Sequence, residues 1–337
     1  MSRLLSRYAE SVFWLARQIE RADSLARILD VNASFSHDSS GSHNWESIVT
    51  LYSARAEFLK RHDAFTADAV LHFYLLDRTN PCSIASAVAL ARENARALRP
   101  LISTEMWGQL NSFNAKMKRL RRPDIAEPKL AKLCGLIKQE CQTHFGIVGE
   151  TFYRDEAWLF YEIGQNIERA DQTTRLLDVK YHLLLPPSAG IGSPLDVSQW
   201  GALLRSAAGF HAYRRLHPTG MSPVRVADFL LFDRHFPRSI LRCLDAAVAA
   251  LAEMRATYDL HGGGAAERQL TNLRDRVAGD AIESVISRGL HETLDWIQIE
   301  LLRTVDELGY AYFGVRPETT GDESSQSQSQ SQIAAAV

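Results

Sequence analysis

Apolar residues recur at three- and four-residue intervals along almost the whole chain. Over 8–31, Val12, Leu15, Ala16, Ile19, Ala22, Ala26 and Leu29 fall on one face, the spacing of an amphipathic helix. Similar faces predict helices over about 46–61, 66–77, 82–98, 101–120, 127–151, 155–184, 197–216, 222–233, 237–257, 265–286 and 289–313. No stretch alternates with period two for long enough to predict a strand. Pro81, Pro223 and Pro237 sit where helices can begin, the position at which proline is tolerated. Loops are predicted over Ser34 to Asn44, over Pro186 to Ser198 and at His261 to Gly264. The Ser/Gln-rich run 317–337 carries no sustained apolar face and is expected to be a disordered tail.

The pattern also repeats. Ile19-Glu20-Arg21-Ala22-Asp23 recurs as Ile167-Glu168-Arg169-Ala170-Asp171, and nine of the thirteen positions in 19–31 are identical 148 residues later. A second block agrees at an offset of 156: Val70, Phe73, Leu75, Asp77, Arg78, Pro81, Ser83 and Ile84 match Val226, Phe229, Leu231, Asp233, Arg234, Pro237, Ser239 and Ile240. Trp45 and Trp200 align between the two blocks. The blocks keep their order. The expected architecture is therefore all-α: one large helical bundle over 1–316, built from two internally duplicated halves, 1–150 and 151–316, with approximate two-fold pseudo-symmetry.

The repeated segment carries charge on an apolar face. With Ile19 at the centre of a helical wheel, Asp23 and Asp30 lie within about 40° of it, Arg27 near 80° and Glu20 near 100°. Arg17 and Arg21 point roughly the other way. Asp23 and Arg27 are four apart, as are Asp171 and Arg175, so each couple can pair along its helix. A buried acid is costly unless paired. Two readings follow. In one, Glu20, Asp23, Arg27, Glu168, Asp171 and Arg175 form an interior ion-pair network that sets how the two repeated helices cross. In the other, they line a polar cleft that holds a cationic or zwitterionic ligand, or that supplies a carboxylate of raised pKa as a general base. Arg21 and Arg169 then meet a neighbouring helix or a partner. Asp77-Arg78 and Asp233-Arg234 are secondary candidates. They read as turn chemistry, with Asp taking free amides and Arg facing C-terminal carbonyls, or as a substrate clamp.

Composition narrows the choice. The 337 residues are 46% hydrophobic and 23% charged, ample for a packed core. A net charge of −2 argues against a nucleic-acid binder, and Lys116 to Arg122 is the one basic run. No apolar run reaches the roughly 18–20 residues of a membrane span. The N-terminus lacks a signal peptide's apolar segment, so a cytoplasmic location is expected. Cys82, Cys134, Cys141 and Cys243 form no CxxC pair and are expected to be reduced thiols. No metal site is expected, because Glu-x-x-His is missing and neither Glu140/His144 nor Asp68/His72 recurs. No cofactor motif occurs: dinucleotide, phosphate-loop and nucleophile-elbow signatures are all missing. Phe13, Trp14, Trp158, Phe160 and Tyr161 are expected in the core.

The opening run Ser6 to Ala22 (SRYAESVFWLARQIERA) resembles the start of the bacterial alpha-E family, an all-helical domain named for its Glu-Arg motif. Glu168-Arg169 and the segment Leu75 to Ile84 fit it too, and the resemblance spans about 1–316. Gln18 departs from it, standing where many members carry an aromatic residue. The resemblance implies company rather than chemistry. Such proteins are typically encoded beside, or fused to, a circularly permuted ATP-grasp ligase, often with a transglutaminase-like peptidase and sometimes a proteasome-like one. It carries no catalytic residue across. Two functions therefore stand: a non-catalytic accessory protein of a peptide-synthesis or protein-modification system, or an enzyme with an acid/base site between the halves that acts on an amine, amide or peptide.

Overall fold

The computed structural model describes residues 4–38, 45–184, 194–258 and 262–315. Among them every regular element is helical. In chain order these are α1 (Ser6–Asp38), α2 (Trp45–Leu51), α3 (Arg55–Leu59), α4 (Ala67–Leu75), α5 (Ile84–Ala97), α6 (Thr104–Arg119), α7 (Glu127–Thr151) and α8 (Glu156–Leu184). They continue with α9 (Pro194–Ser206), α10 (Phe210–Leu216), α11 (Pro223–Phe232), α12 (Ile240–Tyr258), α13 (Gly264–Ala278), α14 (Ile282–Arg288) and α15 (Leu290–Leu308). A 3₁₀ turn spans Arg122–Asp124 and a π turn spans Gly309–Phe313.

The two longest helices, α1 and α8, form the axis of the molecule. Leu4 N donates to Glu156 Oε2, Gly164 abuts Phe13, and Arg17 meets Glu168, so the helices run parallel in near-constant register. Around them α1 packs on α5, α7 and α9, and α8 packs on α12, α15 and α9. Being central, α1 buries polar and apolar flanks alike: Arg17 and Gln18 are as enclosed as Val12 and Leu15. Gly164 permits the closest approach, because a Cβ there would stand 2.5 Å from the carbonyl oxygen of Phe13.

Several boundaries differ from the sequence pattern. No Gly or Pro interrupts residues 31–38, so α1 continues to Asp38, through the first part of the loop expected over Ser34 to Asn44. Residues 39–44 lie outside the described chain. Of the loop expected over Pro186 to Ser198, residues 186–193 lie outside the described chain and Pro194 to Ser198 are helical, the start of α9. The helices predicted over 46–61 and 197–216 each break in two. Non-glycine residues in the left-handed region, Ser53 (φ 51°) and Ala208 (φ 57°), turn the chain there. Each break is capped from another helix: Arg175 Nη1 donates to Leu51 O, and Arg27 Nη1 to Ser206 O, both at 2.7 Å. The helix predicted over 265–286 ends its first part at Ala278, with Gly279 as C-cap. Pro223 opens α11 as expected, but Pro81 and Pro237 lie in turns whose helices start three residues later, after the N-caps Ser83 and Ser239. Phe13, Phe160 and Tyr161 are core; Trp14 and Trp158 are only half-buried at its edge. The expected tail at 317–337 lies outside the described residues.

Candidate functional site

The repeated charges meet where α1 and α8 face each other. Glu168 accepts from Arg17 Nε at 2.7 Å and from Arg21 Nε at 2.7 Å. Glu20 accepts from Arg169 Nη2 at 2.8 Å and from Arg238 Nη1 at 2.7 Å. The two Glu-Arg dipeptides thus pair crosswise, each glutamate taking the other's arginine. Asp23 accepts from Arg27 Nε at 2.8 Å, and Asp171 from Arg175 Nε at 2.9 Å, the couples expected from their spacing. Gln172 donates through Nε2 to Glu168 at 3.1 Å and accepts through Oε1 from the Tyr52 hydroxyl at 2.9 Å.

The side chains of Glu20, Asp23 and Glu168 have no exposed surface. Burial pushes both glutamates up, but the two guanidiniums beside each more than cancel it and hold each carboxyl down to about 2. Arg21, Arg169 and Arg175 lose hydration on burial, yet the adjoining carboxylates hold them above their ordinary range. A cavity of about 10 Å³ lies against this network, lined by Ser24, Arg27, Gln172 and Arg238 among others. That is room for about one water. A sealed carboxylate with a pKa near 2 is a poor general base at neutral pH. What the arrangement does well is fix the register of two helices.

The sequence placed Arg21 and Arg169 on the far side of the apolar stripe; in the structure both reach the neighbouring central helix. It missed Arg238, which bridges Glu20 and Asp23 with its second contact at 2.5 Å. Arg238 aligns with Cys82 in the second repeated block, so a search for identities passes over it. The secondary candidates stay outside the network. Asp77 Oδ1 accepts the amide of Thr79, and Asp233 Oδ1 accepts those of His235 and Phe236, as turn chemistry predicts. The arginines depart from it: Arg234 pairs with Asp245 at 3.0 Å, and Arg78 is exposed with no carbonyl partner. Those turns are closed by Ser86 and Ser239 hydroxyls instead, each donating to a turn carbonyl.

Cys134, Cys141 and Cys243 are buried, and desolvation raises all three thiols, Cys134 and Cys243 to about 12. Asp178, His291 and Asp295 bring ligand-type atoms within 4.8 Å of one another, a cluster no local spacing foretold. His291 Nδ1 lies 2.9 Å from Asp178 and Nε2 3.6 Å from Asp295, so both imidazole nitrogens already face carboxylates. Burial lowers this histidine, and the hydrogen bond and charge of Asp178 outweigh it to leave the group raised. A metal would have to displace one of those contacts. No described helix is long and apolar enough to cross a membrane.

Residues 4–313 match the model of Alpha-E, described as a predicted alpha-helical domain with a conserved ER motif. The chain belongs to the Alpha-E family. Glu20-Arg21 and Glu168-Arg169, the crosswise pair described above, are Glu-Arg dipeptides of that kind. Two uncharacterized proteins of Mycobacterium tuberculosis and one of Mycobacterium bovis are each 24% identical to this Alpha-E chain over 318 residues. The match covers 86% of this chain and 34% of each relative, so the chain spans about a third of their length. No solved structure matches it.

Proposed function

We propose that this Alpha-E chain is a non-catalytic accessory domain of a cytoplasmic peptide-synthesis or protein-modification system. It works with a circularly permuted ATP-grasp ligase and a transglutaminase-like peptidase. We further propose that it is two copies of one helical unit related by an approximate two-fold axis parallel to α1 and α8. The observation that carries the reading is the sealing of Glu20 and Glu168 by two guanidiniums each, which makes both glutamates poor proton acceptors near neutral pH. An acid/base enzyme working between the halves would need one of them open. The greater length of the curated relatives supports a domain that acts as part of something larger.

The test is co-expression with an ATP-grasp ligase encoded in the same genome. Co-purification, or a several-fold change in ATP-dependent ligation when the chain is added, is the expected result. A ligase that neither co-purifies nor changes its rate contradicts the reading.

A further inference from the structure

Two similar pieces of structure, about 155 residues apart, differ in one respect that points to a ligand. In the first, Ser53 turns the chain into α3, Phe58 packs edge-on against Phe73 at 5.2 Å, and His62 lies tilted against Phe58 at 4.7 Å. In the second, Ala208 turns the chain into α10, Tyr213 packs edge-on against Phe229 at 5.7 Å, and His217 lies tilted against Tyr213 at 4.7 Å. In both, an aspartate follows the helix carrying the phenylalanine and folds its Oδ1 back onto turn amides, Asp77 in one and Asp233 in the other.

The first piece is filled by its own arginine. Arg61 Nη1 donates to Asp77 Oδ2 at 2.9 Å and to Thr79 Oγ1 at 2.6 Å, its guanidinium lies 5.8 Å from the Phe73 ring centre, and it also pairs with Glu57. In the second piece, 155 residues on, Leu216 stands for Arg61 and Ala212 for Glu57, while the aspartate is kept. There the structure holds a cavity of about 260 Å³, more than enough room for one long side chain, walled by Ala212, Leu216, Phe229 and Phe236 and lined also by Asp233 and His235. Phe229 and Phe236 are stacked at 4.6 Å, and Asp233 makes no ion pair among the described residues. Arg215 also lines the cavity but is exposed, and it corresponds to Lys60, which pairs with Glu57 rather than with Asp77.

We propose that the cavity between α10 and the 233–237 turn binds a guanidinium group on an aliphatic stem, an arginine side chain from outside the chain. Its charge would meet Asp233, and its flat face and stem would lie against Phe229, Phe236 and Leu216, as Arg61 lies against Phe73 in the first piece. A charge-assisted pair with a carboxylate beside an aromatic ring is the recognition chemistry at work. The inference is independent of the proposed ligase partnership.

Isothermal titration calorimetry on the full chain tests it, with N-acetyl-arginine methylamide, free arginine, and the norleucine and glutamate analogues as probes. Saturable binding of the capped arginine, with the norleucine analogue weaker by about tenfold or more, is the expected result. Asp233→Asn should weaken it similarly. Leu216→Arg, at an exposed position that does not endanger the fold, should abolish it by supplying the guanidinium from within. Equal binding of capped and free arginine assigns the site to arginine within peptides; a tenfold preference for free arginine assigns it to the amino acid. No binding to the native chain, binding that Asp233→Asn leaves unchanged, or preference for the glutamate analogue overturns the proposal. So does binding that emerges only in Arg215→Ala, since the chain's own Arg215 would then be the occupant.

Discussion

The side chains of Glu20 and Glu168 have no exposed surface, so the arginines facing them, with Gln172 on Glu168, take the place of water around their charge. Removing the Glu168 carboxylate takes the ion-pair partner from both Arg17 and Arg21, whereas without Glu20 only Arg169 loses its partner, because Arg238 keeps Asp23. Glu168→Gln is therefore expected to destabilise the chain by about 3–5 kcal/mol, measured by urea denaturation. The pH dependence has a defined sign. Both carboxyls titrate near 4.5 when unfolded and near 2 when folded, so their contribution is complete above about pH 4.5 and fades as the pH falls towards 2. His144 acts at higher pH. Burial alone holds it down to about 3 from an ordinary 6.5, and its ring hydrogen-bonds Gln109 and otherwise lies among Phe145 and Tyr161. Its neutral form therefore costs nothing above pH 6.5, but unfolding gains a proton progressively below that value. Stability measured between pH 6.5 and 4.5 should fall as the pH drops, and His144→Leu should flatten that slope whatever it does to the absolute value. A slope that His144→Leu leaves intact would place the titration elsewhere.

Helices were legible wherever a stretch buries one stripe and little else competes. α5, α7, α11 and α12 lie close to their predicted spans. The misses have tertiary causes. Nothing local marks Ser53 or Ala208 as left-handed, and the guanidiniums that cap the broken helices arrive from 124 and 179 residues away. The charged faces of the site were legible because they repeat, whereas Arg238 was not, because its counterpart is a cysteine. The crosswise pairing was beyond a single-helix wheel, which treats the side opposite the apolar stripe as solvent. On α1 that side is another helix. Glycines separate the same two cases. Gly164→Ala must push α1 from α8 at the carbonyl of Phe13 and is expected to cost about 1–3 kcal/mol. Gly146→Ala, within α7 with open space at its Cβ, is expected to stabilise by about 0.5–1 kcal/mol. Thermal melts of the two variants should move in opposite directions.

At the scale of the molecule, the central parallel pair joins residues 1–150 to residues 151–313, and the ER motif is its polar fastening. Glu20 and Arg169 stand 149 positions apart in sequence and 2.8 Å apart in space. The arrangement is reciprocal, so loss of either dipeptide loosens the same interface. Hydrophobic contact between α1 and α8 supplies cohesion without direction; the crossed ion pairs select the register. The account stands most directly on the coupling across that interface. A double-mutant cycle of Glu20→Gln and Arg169→Gln, read by urea denaturation, measures it. The structure predicts a coupling of about 1–3 kcal/mol, with the double variant less destabilised than the sum of the singles. Single variants that add within about 0.5 kcal/mol would contradict it, and the ER motif would then have to be explained by something other than the joining of the two central helices.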